Sequence, residues 1–329
     1  MTHRAGPTID TRGVQDARGG FAALCHAIAR VERPAAQREL CRQVWLPVPP
    51  ITSDIDAIEL HDPATIAPCL LVPGLLGDAV RNVVAPMLGA RRALAPDGYR
   101  IDIAWVNGRS GSAANADLLR RRVLEAVERH GEPLHLIGYS KGCTDLLHLL
   151  ADHADCHAAI RSLTSLSGVV HGTPLARGTP EALERLLRRV PLPGLGPGDG
   201  KVLDDLEPGA RAAHLAAHPL PASIRYASVV AAPERARVSR VLRGSYRRLA
   251  RTDPANDSQV TATDAILPAG QLLAILNVDH WAMALPIVDQ DRWWRRWLGR
   301  WLVTGNECAR DIFLAAILQH QQSVGEAPP

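Results

Sequence analysis

The feature that most constrains this chain is a junction. An apolar stretch from Leu134 to Tyr139 runs straight into Gly138-Tyr139-Ser140-Lys141-Gly142, and a helical pattern follows from Cys143 to His153. A strand that turns sharply into a helix needs small residues on both sides of the turn, because a Cβ there would clash. Gly138 and Gly142 meet that need. A strand leading into a helix also returns by a parallel crossover, so it belongs to a sheet covered on both faces.

The rest of the chain fits this scheme. Cys69 to Pro73 is a short continuous apolar run, and Tyr99 to Val106 alternates; both read as strands. Ala114 to His130 reads as a helix, with Leu118, Leu119, Val123, Leu124 and Val127 on one face. Ser162 to Val170 and Ser223 to Val230 read as strands, and Ala265 to Leu276 as strand–turn–strand. Val14 to Val44 is helical in pattern up to the break at Pro34. Val288 to Leu302 is an amphipathic helix with Trp293, Trp294, Trp297 and Trp301 on its apolar face, expected to pack on the sheet. Strands alternating with helices predict an α/β fold with a mostly parallel central sheet flanked by helices.

One region breaks the alternation. Gly172 to Pro221 holds a short helical pattern, Glu181 to Val190, followed by three prolines and four glycines between Pro191 and Gly200. It reads as a mobile helical cap whose Leu183, Leu186 and Leu187 line a pocket. The expected organisation is an N-terminal helical extension and wrapping segment over 1–65 and a core over 66–171. The cap covers 172–221, a second core part 222–304, and a C-terminal helix and tail 305–329.

Composition excludes several functions. The 329 residues carry a net charge of +3, and aromatic residues make up 4%. That balance argues against a basic nucleic-acid binder and against stacking platforms for single strands. The six cysteines are scattered with no CxxC spacing, which reads as buried thiols in a reducing, cytoplasmic setting. No secretory signal and no apolar stretch of about 20 residues is visible, so no transmembrane segment is expected. His153 and His157 lie near Asp152, Asp155 and Cys156, but that spacing matches no metal site, and no metal or cofactor is expected.

The junction itself carries chemistry. A hydroxyl lifted above the sheet by the turn, with a helix N-terminus aimed at any negative charge that forms, suits Ser140 as a nucleophile. Here the sequence resembles the α/β-hydrolase superfamily, in its lipase/esterase branch, from about Cys69 to Pro286. Leu71-Val72-Pro73-Gly74-Leu75-Leu76-Gly77 resembles the family's oxyanion loop, with Pro-Gly where His-Gly is usual. Gly172-Thr173-Pro174 and Leu203-Asp204-Asp205-Leu206-Glu207-Pro208-Gly209 resemble stretches that follow the serine in bacterial lipases.

The resemblance implies an α/β-hydrolase fold with a lid. It implies His280, in Asn277-Val278-Asp279-His280-Trp281, as base, and Asp257, in Asn256-Asp257-Ser258-Gln259-Val260, as acid. Ser258 stands where the family's turn has glycine. The backbone amides of Leu75 and Lys141 would stabilise the oxyanion, and Leu76, Tyr139 and Trp281 would contact substrate. Asp253 and Asp264 remain alternative acids. His171 is the rival histidine, while His135 and His148 read as packing or surface residues and Asp279 as a surface or supporting residue. Lys141 reads as facing solvent; the other reading is an ammonium at the pocket mouth that attracts an anionic substrate.

The expected function is a serine hydrolase cleaving a small-molecule or lipid carboxylic ester through an acyl-enzyme. An acyltransferase or thioesterase acting on a carrier-bound substrate is one alternative, and a non-catalytic binding protein on the same fold is another. The oligomeric state is not legible in the sequence.

Overall fold

A computed structural model describes residues 6–32, 44, 58–75, 87–177, 198–285, 297 and 309–326. Seven strands form one sheet: β1 Gln15–Asp16, β2 Cys69–Val72, β3 Ile101–Ile103, β4 Leu134–Tyr139, β5 Ile160–Leu166, β6 Arg225–Ala231 and β7 Gln271–Leu276. The order across the sheet is β1-β7-β6-β5-β4-β2-β3, and every pairing is parallel. The strand order reverses at β2, which pairs β3 on one side and β4 on the other. Open parallel sheets bind ligands beyond the strands' carboxyl ends at such a reversal.

Alternation along each strand splits the core in two. Leu71, Ile137, Leu166, Val229 and Leu273 face one layer with helices α1 (Arg18–Glu32), α2 (Leu88–Leu94) and α9 (Arg310–Glu326). Leu70, Val72, Leu136 and Leu163 face the other, against α3 (Ser112–His130) and α4 (Lys141–Asp152). Between these helices and the end of the chain run α5 (Val202–Asp205), α6 (Pro208–Ala217), α7 (Arg243–Leu249) and α8 (His280–Ala284). Burying a leucine on either face contributes about 1.5–3 kcal/mol, so both layers hold the sheet firmly.

Several elements differ from the sequence reading. The helix expected from Val14 begins at Arg18, because Gln15–Asp16 pairs with Gln271 and Leu272 as an edge strand. β3 covers only Ile101–Ile103, which pair with Cys69–Leu71 of β2. β5 stops at Leu166, where Ser167 takes a φ of +44°. Ile266 and Leu267 are buried but form no strand, as both edges of β6 are already paired. Instead, the Leu267 amide donates to Ser228 Oγ at 3.0 Å.

The Glu181–Val190 helix and most of the Val288–Leu302 helix lie outside the described residues. Trp297 is described and is 66% exposed, so its indole is not packed on the sheet. The C-terminal helix that fills this role is α9, through Phe313, Leu314 and Ile317. No helix among the described residues is long and apolar enough to cross a membrane.

Candidate active site

Ser140 stands between β4 and α4 with φ +56° and ψ −128°. A side-chain-bearing residue held there is strained by about 1–3 kcal/mol, and such strain persists only where the surroundings enforce it. Here they do. The Ser140 amide donates to the Leu166 carbonyl at 3.2 Å, and its carbonyl accepts from the amides of Cys143 and Val169, each at 3.1 Å. Glycines permit the close packing around it. A Cβ on Gly138 would lie 2.5 Å from Cys143 Cα, and one on Gly142 would run into the Val72 carbonyl.

Gly74, at the end of β2, brings the next loop against the serine. A Cβ there would sit 2.6 Å from Ser140 Cβ and 3.0 Å from its hydroxyl oxygen. Only a bare backbone fits that approach. Leu75 follows directly and is 37% exposed, at the rim. Leu76 lies outside the described residues, as do Leu183, Leu186 and Leu187. The strand ends that converge here, β2 and β4, are the two at the reversal of strand order.

The structure brings His280 and Asp257 to Ser140. His280 Nε2 lies 2.9 Å from Ser140 Oγ, and Nδ1 lies 2.6 Å from Asp257 Oδ2. Ser140 and the two partner side chains are buried. The other carboxylate oxygen of Asp257 accepts from the amides of Gln259 and Val260, at 2.8 and 2.9 Å. One oxygen is thus fixed by backbone while the other points at the imidazole. A main-chain bond from the His280 amide to the Asp257 carbonyl, 3.0 Å, ties the two loops together. Ser258 takes a φ of +89° in this turn and is fully buried.

Two neighbours hold the histidine from behind. The Tyr139 hydroxyl donates to the His280 carbonyl at 2.7 Å, and the two rings stack with centroids 5.0 Å apart. Burial pushes its phenol well above the ordinary range. Tyr139 therefore supports His280 from behind. Asp279 is not at the surface. It is fully buried and caps α8, accepting from the Ala282 amide at 2.9 Å and the Ser239 amide at 2.7 Å. Burial raises its pKa. The signal for this was present: an aspartate three residues before a helical amide is a standard N-cap. Trp281, on α8, is half-buried.

Lys141 is also corrected. Its side chain is buried, with Nζ 2.5 Å from Asp145 Oδ1. Asn115 Nδ2 donates to the other oxygen of Asp145 at 3.0 Å. The ammonium is therefore neither solvated nor at a pocket mouth.

The remaining candidates lie elsewhere in hydrogen-bond terms. His171 Nε2 donates to the Ile266 carbonyl at 3.1 Å, and burial pushes its pKa down to about 4. His135 pairs with Ser162 Oγ at 2.8 Å. His148 accepts from Arg211 and stacks on His214. Asp264 binds Arg12 and Thr261, and Asp253 accepts from the Ala255 amide. Among the described residues, no group of histidines, cysteines and carboxylates has the arrangement of a metal site.

No protein-family model matches the sequence, and no curated protein does. Solved structures do. The metagenomic carboxyl esterase MGS0156 superposes with a TM-score of 0.85, covering 97% of this chain and 97% of that one at 29% identity. The mature Bacillus licheniformis lipase BlEst2 superposes with a TM-score of 0.54, covering 69% of this chain and 89% of that one at 21% identity. The fold is that of an α/β-hydrolase of the lipase/esterase-like kind.

Proposed function

We propose that the chain is a serine hydrolase acting on carboxylic esters. The observation that carries this reading is the continuous chain of hydrogen bonds from Ser140 Oγ through His280 to Asp257, at 2.9 and 2.6 Å. The likeness to a carboxyl esterase over nearly the whole of both chains supports the same reading.

In this reading His280 Nε2 takes the Ser140 proton as Oγ attacks the acyl carbon. Asp257 Oδ2 accepts the Nδ1 hydrogen, which holds one tautomer and stabilises the imidazolium that forms. The tetrahedral oxyanion is received by the amides of Lys141 and Leu75. The first opens α4, where the helix dipole favours negative charge; the second follows the glycine pressed against Ser140. His280 then returns the proton to the leaving alcohol, and water resolves the acyl-enzyme by the same steps in reverse.

Turnover of a p-nitrophenyl ester by Ser140→Ala tests the assignment. The expected loss in kcat is several orders of magnitude with the fold intact, since no other group takes the place of the hydroxyl. Appreciable residual turnover would move the nucleophile elsewhere.

A further inference from the structure

The stretch from Arg235 to Arg251 holds seven arginines and no acidic residue, several times the arginine density of the chain as a whole. It follows β6 and includes α7. Like charges gathered this closely repel one another, so the free protein gains from an anion that neutralises them. Part of the cluster lines a cavity of about 440 Å³, walled by Arg235, Ala236, Val238, Arg243, Tyr246 and Arg247. The Arg235 and Arg247 side chains make no hydrogen bond or ion pair with another described residue. Among the described residues the Arg243 side chain reaches only the Val238 carbonyl, at 3.4 Å.

The cavity is tied to the candidate active site. The amide of Ser239, beside Val238, donates to Asp279 at the cap of α8. Ser245, beside Tyr246, accepts from Gln259 in the Asp257 turn at 3.5 Å. Lys141, the cation nearest the serine in sequence, is held by Asp145.

We propose that this cavity binds a phosphate-type oxyanion carried by an organic ligand. Guanidinium groups present planar paired donors that match phosphate oxygens. Tyr246 adds a hydroxyl; burial raises its pKa, so it stays protonated and donates at neutral pH. Ala236 and Val238 give an apolar wall for the rest of the molecule, and the volume is in the range of small-molecule sites. The site does not depend on which reaction Ser140 performs.

The test is isothermal titration of the full chain with inorganic phosphate, at an ionic strength held constant with sodium chloride. A parallel arm sediments the protein with phosphatidylcholine vesicles with and without phosphatidate. The expected result is saturable binding in one arm, weakened about tenfold or more in Arg235→Ala/Arg247→Ala, since charge-assisted hydrogen bonds are lost. Binding of free phosphate identifies a soluble ligand; binding only to phosphatidate vesicles identifies a lipid headgroup. Circular dichroism checks that the variant is folded, and Arg243→Gln serves as a second variant. No binding in either arm, or binding undiminished in folded variants, overturns the proposal.

Discussion

Lys141 and Asp145 form an ion pair one turn apart on α4, immediately behind Ser140, with both side chains 1% exposed. Asn115 donates to the other carboxylate oxygen. Removing one member leaves a buried charge, which costs about 3–5 kcal/mol; removing both leaves an apolar helix surface. Asp145→Ala should therefore lower the urea midpoint sharply, and Lys141→Met/Asp145→Leu should recover most of the loss. In the folded double variant, kcat/KM for neutral and anionic esters should change by the same factor. A selective loss on anionic esters would show that the Lys141 ammonium meets substrate.

The turn around Asp257 contains a removable strain. Ser258 sits at φ +89°, buried, with no hydrogen-bond partner for its hydroxyl among the described residues. Glycine adopts that conformation freely, though it loses more entropy on folding. Ser258→Gly should stabilise the protein by up to about 1 kcal/mol, the strain relief exceeding the entropy loss. Ser258→Val should destabilise it. Chemical unfolding measures both, and a destabilised glycine variant would contradict the strain argument.

The acid assignment separates three aspartates by their partners. Asp257 alone of Asp253, Asp257 and Asp264 reaches the His280 ring. Asp257→Asn should lower kcat by roughly 10⁴-fold, the size of the effect when the imidazole is held in the wrong tautomer. Asp253→Asn and Asp264→Asn should leave kcat within a few-fold of wild type, roughly the effect of a surface change. A severe loss from either, with Asp257→Asn active, would reassign the acid.

His135, fully buried on β4, gives the protein an acid-sensitive element. Burial pushes its pKa down to about 3, and the Arg225 and Arg161 charges push the same way. In the unfolded chain it titrates near its ordinary value of 6.5. Between those values the unfolded state holds a proton that the native state lacks. Its contribution to stability is complete above pH 6.5 and is lost as pH falls toward 3. The slope is up to about 1.4 kcal/mol per pH unit. Unfolding measured from about pH 7 to about pH 5 should show a shallower decline for His135→Gln than for wild type. Identical slopes would contradict this.

The sheet and its turn were legible in the sequence because each carries a local signature. β2 is a continuous apolar run, β4 is apolar but for His135, and glycines bracket Ser140 where a Cβ would clash. The region of Asp257 and His280 was legible through resemblance, and the structure adds the hydrogen bonds that join them. What escaped was set by tertiary partners. Gln15–Asp16 is a strand only because β7 offers it an edge. The burial of Lys141 is not legible in the sequence, because it depends on the fold around the Asp145 carboxylate, which also accepts from Asn115. The bond from the Tyr139 hydroxyl to the His280 carbonyl joins residues 141 positions apart, which no local pattern shows.

In the proposed function Ser140 is a nucleophile activated by His280. A fluorophosphonate reacts only with a serine so activated, and peptide mass spectrometry locates the adduct. Stoichiometric labelling of the Ser140 peptide is expected in the wild-type protein, with labelling lost in Ser140→Ala and slowed by orders of magnitude in folded His280→Ala. Labelling at another serine, or at an unchanged rate without His280, would contradict it.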